Sequence, residues 1–138
     1  MTRLVVTAAV VERTGRVLVT KRQEGVHLAG HWEFPGGKCN PGESLAMCMA
    51  RELREELDVD AIVGDELLAT TYDYPGRRVE LHFLRCDLLG EPVPQLGQDL
   101  LWVRREDLEM LDFPPADAEL IRVLAGGREI PRQDPDEG

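Results

Sequence analysis

Glu52, Glu55 and Glu56 fall within one short run, Arg51-Glu52-Leu53-Arg54-Glu55-Glu56. If the run is helical, at about 100° per residue Glu52 neighbours both Glu55 and Glu56. Three carboxylates then share one edge, and each like-charged neighbour pair costs an isolated helix about 0.2–0.5 kcal/mol. Glu56 projects close to the direction of Leu45 and Met49, so the acidic edge borders the apolar stripe and is expected to be partly desolvated. Several carboxylate oxygens at one place suit a hard divalent cation, Mg2+ or Mn2+, and the run itself contains neither His nor Cys, which argues against zinc. A solvated acidic face laced by Arg51 and Arg54 would look the same. The run alone does not choose between the two.

The elements that would position these acids follow from patterning. Residues 43–57 predict the clearest helix: Ser44 can cap it, and Leu45, Met49, Leu53 and Leu57 recur every fourth residue. Residues 4–11 and 17–22 predict strands, joined by a turn at 13–16. Residues 23–42 read as irregular, rich in Gly and Pro, with a short extended piece at Trp32-Glu33-Phe34. Two further strands are expected at 61–74 and 77–88, with Pro75-Gly76 placed as a type II turn requires. A short strand at 100–104 and a second helix opening at Pro114-Pro115 and stopping at Gly126-Gly127 complete the set. Mixed strands and two helices in this order predict an α/β (α+β) sandwich over residues 1–127, followed by a polar, frayed tail at 128–138.

Composition narrows the partners. At 138 residues the chain fits one domain, which typically takes about 100–200 residues. Sixteen Lys+Arg against 26 Asp+Glu give a net charge of −10, which disfavours binding to a nucleic-acid polymer. A small phosphate-bearing ligand stays compatible, provided divalent cations bridge the two sets of negative charge. No apolar run approaches the roughly 20 residues of a membrane span, and residues 2–11 lack the features of a secretory leader. Cys39, Cys48 and Cys86 cannot all pair and form no C-x-x-C. They are expected to be buried small hydrophobes in a reducing cytoplasm, with no structural zinc.

Beyond the helix, the order Gly37, five residues, Glu43, seven residues, Arg51-Glu52-Leu53, one residue, Glu55-Glu56, one residue, Asp58, Val59 resembles the Nudix box, G-x5-E-x7-R-E-U-x-E-E-x-G-U with U a bulky aliphatic. Only the last glycine departs, as Asp58, and Asp can also adopt the turn that ends a helix. Trp32 to Lys38 and Asp112-Phe113-Pro114-Pro115-Ala116-Asp117 are similar to the MutT-type branch of that family. The likeness runs over residues 4–124. It implies the Nudix fold, a mixed β-sheet sandwiched between helices, and hydrolysis of nucleoside triphosphates to monophosphate and pyrophosphate.

By the same resemblance, Glu52, Glu55 and Glu56, helped by the Gly36 carbonyl, would hold Mg2+ or Mn2+, and one carboxylate would accept the proton of water. Arg51 would orient the glutamates and Glu43 would brace the loop against the helix. Glu33, Gly37, Arg22 and Lys38 would serve the substrate, with Arg77 and Arg78, after the hairpin turn, as weaker candidates. Relatives carry a loop acid where this chain has Leu96; Glu80, Asp99 or the helix carboxylates are the alternatives. Asp117 would read the nucleobase, accepting from the amino group of cytosine or the N–H groups of oxidised guanine, unless it merely caps a helix. Phe34, Tyr72 and His82 are candidate pocket walls, and His27 and His31 candidate surface residues. The implied role is sanitation of 8-oxo-dGTP or a related dNTP, with CTP, dCTP or methylated dCTP as the alternative. A nucleotide sugar, a dinucleotide, or a silent nucleotide-binding regulator is less favoured. The resemblance implies a cytoplasmic monomer or homodimer.

Overall fold

A computed structural model describes residues 2–23, 25 and 29–126. The expected tail at 128–138, the stop at Gly127, and His27 lie outside the described residues. In chain order the elements are β1 (Thr2–Val10), β2 (Glu12–Arg13), β3 (Arg16–Lys21), β4 (Trp32–Glu33), β5 (Gly36–Lys38), α1 (Leu45–Leu57), β6 (Ala61–Tyr74), β7 (Arg77–Leu88), β8 (Leu100–Arg104) and α2 (Ala118–Ala125). Two 3-10 helices, Arg105–Met110 and Pro115–Asp117, precede α2. The fold is mixed α+β, as the sequence predicts.

One sheet runs β5-β1-β7-β6, and a second is built around β3, which pairs with β2, β4 and β8. β1 lies antiparallel to β5 and parallel to β7, from Thr2 opposite Arg77 to Val10 opposite Arg85. Strand alternation sends neighbours to opposite faces. Ala9 and Val11 join Met49, Leu53 and Leu57 of α1 in one core cluster. Ala8 and Val10 join Leu120, Ile121 and Leu124 of α2, with Phe34 and Phe83, in another. Helices thus cover both faces, and α1 is pressed against the sheet beside β5 by three leucine- and methionine-sized side chains that are fully buried.

α1 starts two residues later than the sequence predicts. Ser44 caps it, its Oγ accepting from Met47 N at 3.1 Å, while Glu43 stays outside and accepts from Asn40 N at 3.0 Å. The Gly-rich stretch yields a strand, β5, that periodicity did not announce. Gly36 pairs with Ala8 so closely that a Cβ there would sit 2.0 Å from the Thr7 carbonyl oxygen. The helix expected from Pro114 opens instead as a 3-10 turn, with α2 proper beginning at Ala118. Arg105–Met110 was not expected as helix; it buries Leu108 completely.

The cysteines require a correction. Cys39 and Cys48 are joined in a disulfide, their Cα atoms 5.2 Å apart, and only Cys86 is the buried free thiol expected of all three. The loop between β5 and α1 folds residue 39 back onto the first turn of the helix, a proximity that nine residues of separation do not reveal. Among the described residues no helix is long and apolar enough to cross a membrane.

At the end of α1, Asp58 takes φ 50°, ψ 45° and donates its N–H to Arg54 O at 3.1 Å, the left-handed cap that a glycine supplies without strain. Asp58→Gly is expected to raise stability by about 0.5–1 kcal/mol, and Asp58→Val to lower it by about 1–2 kcal/mol. Urea midpoints of the three proteins check this; equal midpoints would show that the cap carries no strain.

Candidate active site

The functional groups gather where α1 meets the β5 loop. Arg51 is the hub. Its Nε and Nη2 donate to the two Glu43 carboxylate oxygens at 2.8 and 2.9 Å, and Nη2 also reaches Lys38 O at 2.9 Å. Its Nη1 donates to Glu52 Oε1 at 2.9 Å and Glu55 Oε2 at 3.1 Å. The guanidinium fixes the loop to the helix and two acids to each other. These bonds hold the Glu43 carboxyl down to about 2 and push Arg51 above its ordinary range.

Glu52 and Glu56 face the bend at Gly36–Gly37. Gly36 N donates to Glu56 Oε2 at 3.3 Å. A Cβ on Gly37 would lie 2.4 Å from Glu52 Oε2, so only glycine lets that carboxylate approach the backbone. Glu55 is more open, its side chain 60% exposed and tied to Arg51. Burial raises Glu56 to about 8, with repulsion from Glu33 and Glu52 adding to it. Burial likewise raises Glu52, against the pull of Arg51. Mutually repelling carboxylates held against a backbone bend, with Arg51 already shared among its partners, form a hard oxygen donor set that fits a divalent ion of the Mg2+ type. The trio of metal-type side chains that lies closest together among the described residues is a different one, Cys39, Glu43 and Cys48. Its sulfurs are bonded to each other and its carboxylate is engaged by Arg51.

A cavity of about 290 Å³ opens beside this edge. Gly36 and Gly37 line it beside the acids, and Lys38, Arg22, Arg77, Phe34, Tyr74 and Asp117 are among its other lining residues. Phe34 stacks on Phe113 at 5.4 Å and meets Phe83 edge-on at 5.8 Å, so the wall is rigid. Arg22 Nη1 donates to Glu33 Oε2 at 2.6 Å. Burial raises Glu33 despite that bond. Asp117 is 5% exposed, and although it stands at the N-terminus of α2 its side chain makes no capping bond. The carboxyl therefore does not serve the helix end. Burial lifts it to about 7, with repulsion from Glu33 adding and Arg22 opposing.

Several expected residues lie elsewhere. His82 is absent from the cavity lining and pairs with Glu66 and Glu80, and Glu80 also pairs with Arg3. Val5 separates Glu80 from the β5 edge in the strand order, roughly 10 Å at the usual strand spacing, so Glu80 is no replacement for a loop acid. Leu96 presents an exposed side chain, and its carbonyl accepts from Gln23. That loop is fastened to the end of α1 by Val93 N to Leu57 O, 2.8 Å, and Gln95 N to Glu56 O, 2.9 Å. Its Glu91 bonds Arg13. Arg78 pairs with Asp73 on the surface, away from the cavity lining. Tyr72 is 38% exposed; its neighbour Tyr74, overlooked in the sequence, provides the wall. Both tyrosines share one face of β6, their rings 4.8 Å apart, and only the one nearest the turn reaches the cavity. His31 is half-buried in its loop, and its carbonyl accepts from Arg22 N at 2.8 Å.

This fold and site define a class. The profile described as the NUDIX domain matches residues 6–123, and the chain belongs to the Nudix family of hydrolases. Within that family it is 36% identical over 125 residues to the CTP pyrophosphohydrolase of Escherichia coli (strain K12), covering 90% of this chain and 93% of that one. It is also 36% identical over 111 residues to the 8-oxo-dGTP diphosphatase of Haemophilus influenzae, covering 80% of this chain and 82% of the relative. The solution structure of the E. coli ORF135 protein superposes with a TM-score of 0.83 at 34% identity, covering 97% of this chain and 96% of that one. Nudix hydrolases use divalent metal ions.

The raised carboxyls set a pH dependence. Glu56 and Asp117 keep their protons in the folded chain at pH values where the unfolded chain, near its ordinary 4.5 and 3.8, has lost them. Stability of the metal-free protein is therefore greatest at low pH within this window and falls as pH rises toward about 8. Urea unfolding from about pH 5 to about pH 8 should show a falling midpoint that the double variant E56Q/D117N flattens. Added Mg2+ should restore stability most at the upper end. A flat profile for the unaltered protein would show these carboxyls to be solvated.

Proposed function

We propose that the protein hydrolyses nucleoside triphosphates to the monophosphate and pyrophosphate with Mg2+, or Mn2+, and that its favoured substrate is 8-oxo-dGTP or a related damaged dNTP. Glu52, Glu55 and Glu56, with the Gly36 carbonyl, would hold the ion. A divalent ion bound there neutralises phosphate charge and makes water a better nucleophile. Arg22, Lys38 and Arg77 contribute the cations that a triphosphate needs in a chain of net charge −10. Phe34 offers an apolar face to the base. Arg51 positions the glutamates through its shared guanidinium, and Glu43 braces the loop.

In the reaction, water oxygen bonds to the β-phosphorus while the bond from that phosphorus to the oxygen bridging the α-phosphate breaks. The proton passes to a carboxylate. With Leu96 exposed in the loop and Glu80 held by Arg3 and His82, the helix carboxylates are the acceptors closest to the Gly36–Gly37 bend. Asp99, whose carbonyl accepts from Lys21 N at 3.0 Å, is a second place to test.

The observation that carries this reading is the Asp117 carboxyl, buried in the cavity lining and not used as a cap. Once ionised, it and Glu33 suit a base edge rich in N–H groups, which oxidised guanine presents. The amino group of cytosine is the other donor of that kind, and the relative named CTP pyrophosphohydrolase, which spans 90% of this chain, supports CTP or dCTP as the second reading. We place the activity in the cytoplasm, with the nucleotide pool that it would clear of damage before DNA synthesis.

A turnover panel over 8-oxo-dGTP, dGTP, CTP, dCTP and methylated dCTP with Mg2+ tests the proposal, with the products identified. Monophosphate plus pyrophosphate is expected. Failure to turn over any member would favour a silent nucleotide-binding role. Glu56→Gln should lower kcat by about 10²–10⁴-fold with the circular dichroism spectrum unchanged. Asp117→Asn should reduce kcat/KM for the preferred base by about 10–100-fold while leaving poor substrates nearly untouched. A uniform loss across the panel would remove Asp117 from base reading.

A further inference from the structure

Cys39 and Cys48 bracket the loop that carries the Glu43 brace and the Ser44 cap. Cys39 follows β5 directly, and its N–H donates to Val5 O at 2.8 Å, so one end of the bridge is anchored on β1. Cys48 sits on the first turn of α1, fully buried, its sulfur 3.3 Å from Thr7 Oγ1, 3.8 Å from Gly37 O and 4.0 Å from Arg51 Nη2. The bridge therefore touches the glycine that accommodates Glu52 and the arginine that orients it. Cys39 is partly exposed and Cys48 buried, so Cys39 is the more accessible end of the bridge. All of the Arg51 bonds to Glu43, Glu52, Glu55 and Lys38 are in place with the bridge closed.

We propose that Cys39 and Cys48 form a reversible thiol–disulfide latch that, when oxidised, locks the ion-binding loop in its assembled form. The oxidant is a low-molecular-weight disulfide, RSSR. The Cys39 thiolate attacks one of its sulfurs and expels RS⁻. The Cys48 thiolate then attacks the Cys39 sulfur of the mixed disulfide and expels the second RS⁻. One S–S bond is broken and one formed, the two cysteines lose two electrons to the reagent, and their two protons leave with two RSH. Opening the latch frees a chain of nine residues' separation that carries the Glu43 brace and the Ser44 cap. The cost falls on stability, because closing such a loop removes freedom from the unfolded chain.

The test uses the full chain equilibrated with oxidised or with reduced glutathione, and its first readouts do not depend on which nucleotide is hydrolysed. Thiol counting in denaturant should give one free thiol, Cys86, in the oxidised protein and three in the reduced. Reduction should lower Tm by about 5–10 °C. It should also raise, by about two- to fivefold, the Mg2+ concentration that half-protects the fold against heat. Cys39→Ser, at a partly exposed position, should behave like the reduced protein under both conditions, while Cys86→Ala keeps the full response. Three free thiols after treatment with oxidised glutathione would overturn the proposal. So would a bridge that forms yet moves neither Tm nor the Mg2+ dependence. Zinc retained by the reduced protein through dialysis, and lost in Cys39→Ser, would replace the latch with a metal site.

Discussion

The Arg51 guanidinium reaches both oxygens of Glu43, one each of Glu52 and Glu55, and the Lys38 carbonyl. Without it, Glu52 and Glu55 would lose the cation that holds them and Glu43 would lose its tie to the helix. Glu55 raises the proton affinity of Glu52, Glu52 and Glu33 raise that of Glu56, and Glu33 raises that of Asp117. Arg51 anchors one end of that series and Arg22 stands near the other. Such crowding is unfavourable for the isolated fold. On the proposed reading it becomes an asset when divalent charge and a polyphosphate arrive together.

That electrostatic load explains why the surroundings are so firmly packed. α1 bears the acids on one edge while Met49, Leu53 and Leu57 bury its other side completely. The sheet behind it is a mixed one in which β1 joins β5 to β7, so the glycine bend and the cavity floor belong to one rigid layer. Phe34, Phe83 and Phe113 stiffen the wall between the acids and Asp117. On the proposed reading, Asp117 and the helix acids are thereby held at a fixed separation to receive base and phosphates together.

The helix carboxylates, the Ser44 cap, the Pro75-Gly76 turn and the bounds of β6, β7 and β8 were legible because each depends on neighbours within a few residues. Asp58 was legible too: its left-handed cap is a local conformation that the residue type permits. The bounds of β5 were not, since its pairing with β1 comes from residues some thirty positions away and its composition is that of a loop. Tyr74 was missed in favour of Tyr72 for a similar reason, as both point the same way and only the position of the cavity separates them.

By itself the sequence determined which acids share an edge, where the helices begin and end to within a few residues, and that a net charge of −10 needs cations to meet phosphate. Those are matters of composition and of spacing along one helix. The tertiary structure decided that Asp117 faces a cavity rather than a helix end, that Glu80 belongs to His82 and Arg3, and that Cys39 meets Cys48. Each of these depends on which segments lie side by side, and that is set by how the sheet orders its strands and buries its faces, which no local pattern encodes.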